Sequence, residues 1–144
     1  MKLYLAHPLP LRKEIREKEL EIEKETGIEL VNPFYDTGRD DIYEIDAGKK
    51  DRSDPDLDFR KIVEKDIANV QRSDGVVAYI TKTMHSIGTM CELWEAVRMH
   101  LPIYIVSPDS IMHPWVRYMT SSTEGMGFES WDDLKEYFKA KAVK

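Results

Sequence analysis

Gly75-Val76-Val77-Ala78-Tyr79-Ile80, then Met84-His85-Ser86-Ile87-Gly88-Thr89-Met90-Cys91-Glu92-Leu93-Trp94-Glu95-Ala96, then Pro102-Ile103-Tyr104-Ile105-Val106, is the stretch whose reading decides the fold. The first and third runs are short, continuous and apolar, as buried strands are. The middle run opens on small and hydroxylated residues and continues at helical spacing. Strand, loop, helix and strand in that order form a crossover unit of a parallel sheet. Ligands of such units collect at the carboxyl ends of the strands, where this loop lies. Glu92 stands just inside the helix, where the amino-terminal dipole favours an ionised carboxylate.

Working outward, Lys2-Leu3-Tyr4-Leu5-Ala6 reads as a first strand and His7-Pro8-Leu9-Pro10 as a turn. Leu11 to Thr26 reads as a highly charged helix anchored by Ile15, Leu20 and Ile22, with Gly27 in the position of a left-handed cap. Ile28 to Asn32 is a second strand, stopped by Pro33. Phe59 to Arg72 returns to helical spacing, with Phe59, Ile62, Val63, Ile67 and Val70 marking its core face. Met126 to Glu129 offers a fifth strand, and Ser130 with Asp133 resembles a capping box for a last helix ending near Ala142. Strands alternating with helices predict an α/β fold with a mostly parallel, four- to five-stranded sheet.

The chain has 144 residues, 42% of them apolar, and a net charge of −6. That length suits one domain, residues 1–144, able to bury roughly 70% of its unfolded surface. The acidic balance argues against a protein that holds nucleic acid by neutralising phosphates. With a single cysteine, Cys91, no internal disulfide forms. No signal peptide is evident and no apolar run approaches the roughly 20 residues needed to cross a bilayer, so the expected setting is cytoplasmic, away from membranes. Residues 34–58 sustain no period and are dense in Asp. Unstructured connections beyond about 12 to 15 residues are either solvated surface loops or lids over binding sites. His7, His85, His100 and His113 show no metal-ligand spacing together, and no metal or cofactor is expected.

Two carboxylates carry the chemical argument. Asp66 lies four residues after Ile62 and four before Val70, so its helix turns it toward the core, and an unpartnered buried carboxylate costs several kcal/mol. It needs a partner, a proton or a cavity. Glu92 stacks against Gly88 and Thr89 one turn back and Ala96 one turn on, all small, whereas Met90, Leu93, Val97 and His100 form the bulky stripe. Space beside a helix-start carboxylate is what a ligand requires. Acid and nucleophile roles in cleaving a glycosidic bond would use such a pair. Glu95, three residues after Glu92, reads as a surface charge beside Arg98. Tyr4, near the end of the first strand, reads either as an amphipathic core residue or as a hydroxyl that orients Glu92.

Tyr4 on the first strand, the helix run Asp66-Ile67-Ala68-Asn69-Val70, the strand from Gly75 and Ser86-Ile87-Gly88-Thr89-Met90-Cys91-Glu92 followed by Ala96 together resemble the nucleoside 2-deoxyribosyltransferase family. The resemblance covers Lys2 to about Ser107. It implies a flavodoxin-like or Rossmann-like three-layer sandwich. It also implies cleavage of the N-glycosidic bond of a 2′-deoxynucleoside or its 5′-monophosphate, with Glu92 attacking the anomeric carbon, Asp66 handling the proton at the departing base and Tyr4 holding Glu92. The sugar then passes to water or to another base.

At Ser86 the family's enzymes for free nucleosides usually carry an aspartate. Serine can donate to a 5′-phosphate, and the amides of Gly88 and Thr89 add donors, which resembles the branch that hydrolyses deoxynucleoside 5′-monophosphates. Ser86 can equally be a helix cap. His7 is a candidate for lining the pocket. Arg117 falls where the family's chains lend a polar residue to a neighbouring subunit, which implies a homodimer or larger homo-oligomer with shared sites. Arg12 is a lesser phosphate candidate, on a helix with many surface cations. A nucleotide-binding module without catalysis is the alternative of another class.

Overall fold

The computed structural model describes residues 1–36 and 55–142. Its elements are β1 (Lys2–Ala6), a 3-10 turn (Leu9–Leu11), α1 (Arg12–Thr26), β2 (Glu29–Val31), α2 (Phe59–Gln71) and β3 (Gly75–Tyr79). They continue with α3 (Ile87–Arg98), β4 (Ile103–Val106), α4 (Pro114–Ser121), β5 (Met126–Phe128) and α5 (Trp131–Ala142). The strands form one sheet in the order β2-β1-β3-β4-β5. Every neighbouring pair is parallel. This is the flavodoxin-like order, and it changes direction between β1 and β3, opening a crevice at the carboxyl ends of those two strands. The fifth strand expected near Met126 is present.

Side chains alternate across the sheet. Leu3 and Leu5 of β1 join Ile15 and Ile22 of α1 and Leu134 and Phe138 of α5 on one face. Tyr4 and Ala6 point the other way, into a core with Val70 of α2, Leu93 and Ala96 of α3 and Val116 of α4. The result is a three-layer sandwich. Local chemistry sets most of the element ends. Gly27 closes α1 with φ 72, and its N–H donates to the Glu23 carbonyl at 2.9 Å. Only a residue without a Cβ holds that left-handed conformation without strain. Asp58 caps α2 by accepting from the Lys61 amide, and Ser130 accepts from the Asp133 amide at 3.1 Å.

On three helices, expected core positions lie elsewhere. Leu20 is 48% exposed, and the buried stripe of α1 is Ile15, Glu19 and Ile22, with Glu19 fully inside. On α2 only Val70 is buried; Phe59 is 69% exposed, and Val63 and Ile67 are also exposed. That helix is fully buried only at its last turn. On α3 the buried stripe is Thr89, Leu93 and Ala96, whereas His100 lies past the helix end at φ 58, outside the core. The segment Trp115 to Thr120 is the middle of α4, whose start is fixed by Pro114 and by His113 Nδ1 accepting from the Trp115 amide. Of the expected loop or lid at 34–58, residues 37–54 lie outside the described residues.

Candidate active site

Helices in a parallel sheet run against their strands, so α2 and α3 both begin at the carboxyl edge, beside the β1–β3 crevice. Gly88, Glu92 and Glu95 share one side of α3 at i, i+4 and i+7. Glu95 Oε1 accepts from Gln71 Nε2 at 3.0 Å, which shows that this side faces α2. With a rise of 1.5 Å per residue, Asp66 stands roughly 7 to 8 Å and Glu92 roughly 4 to 5 Å nearer the carboxyl edge than that cross-link. By that reckoning the Asp66 backbone stands roughly 3 Å nearer the edge than that of Glu92, with Asp66 on the side of α2 that carries Val70 and Glu92 on the side of α3 that faces α2.

Glu92 is half-buried and its Oε2 is shielded from solvent. Its side chain folds back over the first turn, as helical side chains do. Oε1 lies 3.5 Å from where a Cβ on Gly88 would stand. The missing side chain at Gly88 therefore keeps the mouth of the helix open beside the carboxylate. Tyr4 is fully buried, hydroxyl included, and pairs in register with Val76 of β3, so it rises from the middle of the sheet beneath α3. Asn69, one turn beyond Asp66, has a buried Nδ2 with no hydrogen-bond partner among the described residues.

Ser86 is the N-cap of α3: its Oγ accepts from the Thr89 amide at 3.1 Å and donates to Thr89 Oγ1 at 2.8 Å. Of the two amides expected to serve an anion, Thr89 spends its own on this cap, and Gly88 is the one the cap leaves. Arg117 is exposed on α4. Glu95 is a structural charge: Arg98 donates to it at 2.6 and 3.0 Å, and with Gln71 it holds the carboxyl down to about 2.

His7 is buried rather than facing the crevice. Its ring meets Phe34 edge-on at 4.9 Å, Nε2 lies 3.2 Å from Asn32 Oδ1, and burial pushes its pKa down to about 4. Asn32 Nδ2 in turn donates to Glu19 Oε2 at 2.8 Å, and Arg16 donates to Glu19 Oε1 at 2.9 Å. Burial drives the Glu19 carboxyl up to about 7 against those donors. The sequence reading missed this cluster. Its signal was present in the spacing, because Glu19 falls on the Ile15–Ile22 stripe at i+4.

Among the described residues no group of three or more His, Cys, Asp or Glu side chains is arranged to hold a metal ion, and no helix is long and apolar enough to cross a membrane. A family model described as nucleoside 2-deoxyribosyltransferase matches residues 3–135. Among solved structures, the chain is similar to a 2-deoxyribosyltransferase from the psychrotolerant bacterium Bacillus psychrosaccharolyticus, with 19% identity over 99% of this chain and 96% of that one and a TM-score of 0.70. It is similar to the Clostridium botulinum CMP N-glycosidase BcmB, with 10% identity over 98% and 99% of the two chains and a TM-score of 0.63. A conserved protein from Enterococcus faecalis V583 overlays with a TM-score of 0.74 at 18% identity, covering 98% of each chain. At these identities the structural likeness shows the fold. No curated protein matches in sequence.

Proposed function

Since the chain belongs to the nucleoside 2-deoxyribosyltransferase family, whose activity is the transfer or cleavage of glycosyl groups, we propose that it breaks the N-glycosidic bond of a 2′-deoxynucleoside 5′-monophosphate, or of the deoxynucleoside, through a covalent deoxyribosyl-Glu92 intermediate. The ionised carboxylate attacks C1′ as the C–N bond breaks, and Asp66 delivers a proton to the departing base, a poor leaving group without it. Water or a second base then attacks C1′ from the opposite side and releases Glu92. Two inversions give net retention, as in carboxylate-based glycoside cleavage. Tyr4 orients Glu92 from below. Ser86, Gly88 and Thr89 form the sugar side of the site, with Ser86 turning its hydroxyl from the cap toward a 5′-phosphate and the Gly88 amide donating beside it.

The observation that supports this most directly is the Glu92 carboxylate folded back over a glycine at the mouth of α3, in the crevice where this strand order takes its ligands. Incubation with each deoxynucleoside and its 5′-monophosphate, followed for free base, is expected to give release from at least one. A second base added in excess separates the branches: a new nucleoside or nucleotide marks transfer, and deoxyribose 5-phosphate alone marks hydrolysis. Binding without any release would reduce the protein to a nucleotide-binding module.

The same reading has a second copy of the chain complete the site through α4, where Arg117 lies. Trp94 stands 5.8 Å from Trp115 and 6.3 Å from Tyr118, all three exposed, and with Pro114 they line an open, almost wholly apolar groove of about 280 Å³. Apolar patches of this kind mark association surfaces. By contrast, α1 and α5 carry a layer of ion pairs, among them Lys135 with Glu21 at 2.6 Å. A Trp94→Glu variant is expected to sediment as a monomer and to lose turnover. A wild-type chain that is already monomeric at micromolar concentration would refute the shared site.

A further inference from the structure

Glu19 and Asn32 are fully buried polar residues that no step of the proposed reaction uses, and every hydrogen bond around them fixes the next. Asn32 Oδ1 accepts from the Phe34 amide at 3.0 Å, and Asn32 Nδ2 donates to Glu19 Oε2, so the amide has one orientation while Glu19 is ionised. His7 must then donate from Nε2 to Oδ1. Its other nitrogen, Nδ1, faces the Pro8 carbonyl at 3.3 Å, where a neutral ring protonated at Nε2 has only a lone pair to offer.

The partners of ionised Glu19 are all donors. Arg16 has no acceptor, and Asn32 presents its amide nitrogen. A proton placed on the carboxylate therefore has nowhere to be donated unless Asn32 turns over. Rotation brings Oδ1 to receive the Glu19 hydroxyl and points Nδ2 at His7 Nε2. That nitrogen must then be the acceptor, so the ring proton moves to Nδ1, where the Pro8 carbonyl receives it. One proton enters from solvent and the ring keeps one throughout. The cost falls on the Phe34 amide, which now faces an NH₂ group.

We propose that Glu19, Asn32 and His7 form a two-state hydrogen-bond chain, in which proton uptake by Glu19 turns the Asn32 amide, swaps the His7 tautomer and breaks the hydrogen bond from the Phe34 amide to Asn32 Oδ1. Glu19 and Asn32 are positioning residues for the turn at 33–36. Asn32 ties that turn down: its carbonyl accepts from Tyr35 and Asp36, and its amide donates to Asp36 Oδ2 at 2.8 Å. The charged groups facing Glu19 are Arg16 from α1 and Asp36 from the turn, bridged by Arg16 donating to both, with His7 beyond Asn32. Burial separates the two titrations, with Glu19 near 7 and His7 near 4, so the ring is neutral while the carboxylate changes state. The turn leaves the sheet one strand from the β1–β3 crevice, and its influence on substrate rests on the functional reading above.

The test needs no substrate and so stands or falls apart from that reading. In the full chain labelled with ¹⁵N histidine and ¹³C glutamate, the His7 proton is expected at Nε2 at about pH 8.5 and at Nδ1 at about pH 5.5. The midpoint should coincide with that of the Glu19 carboxyl. Phe34 amide exchange, corrected for its intrinsic rate, should rise roughly tenfold across the same range. In Glu19→Gln the tautomer and the exchange are expected not to respond to pH. A single His7 tautomer throughout, a midpoint that departs from that of Glu19, or a swap that persists in Glu19→Gln would each overturn the proposal. The wild-type midpoints decide it even where the variant does not fold.

Discussion

Glu92→Gln is expected to keep the fold and to cut base release at least about 10³-fold, because an amide of the same shape cannot act as the nucleophile. The position favours a clean result. Glu92 lies beside the buried stripe of Thr89, Leu93 and Ala96 rather than on it, and its carboxylate rests over Gly88, so the substitution removes charge without opening a core cavity. Tm should stay level or rise, since groups held for chemistry are often not held for stability. Base release is measured by chromatography at saturating substrate, alongside Glu92→Ala. Turnover within tenfold of wild type in either variant would remove Glu92 from the mechanism. Glu95→Gln is the control, expected to retain turnover while loosening the α2–α3 cross-link.

The largest stability effect is expected at Gly125→Ala, far from that site. A Cβ there would overlap the Ile103 carbonyl oxygen and lie 2.7 Å from the Ile103 amide nitrogen. Neither group can retreat: Ile103 is fully buried at the start of β4, paired with Val76 of β3, and its N–H donates to Thr123 Oγ1 at 3.1 Å. The chain must shift β4 or detach β5. A loss of at least about 4 kcal/mol is expected, a large share of the total stability of a domain this size. Urea unfolding followed by circular dichroism measures it; a change below about 1 kcal/mol would mean that β5 docks with slack.

Much of this architecture was legible because periodicity and end signals agreed. The apolar runs at Lys2, Gly75 and Pro102, the cap at Gly27 and the Ser86 loop each carry their own local cause. The failures share a different cause. The Phe59–Val70 stripe has correct helical spacing, yet spacing gives a direction and not the depth of what lies beneath it, and on α2 only Val70 is buried. In α1 the reverse occurred: Glu19 was one of many charges in Arg12-Lys13-Glu14-Ile15-Arg16-Glu17-Lys18-Glu19, and composition hid a side chain that spacing placed inside. His7 looked like a loop residue at a ligand edge. Its burial depends on Asn32 and Phe34, which only the β1–β2 pairing brings beside it. Contacts between distant segments are where one-dimensional reading ends.

The two outer strands, β2 and β5, are only three residues long each, whereas the three between them run to four or five. A strand that short offers an incoming chain too few free amides and carbonyls to extend the sheet. Short edges of this kind discourage strand addition at both ends of the sheet. The exposed rings of Trp94, Trp115 and Tyr118 on α3 and α4 are the better-suited surface for a partner.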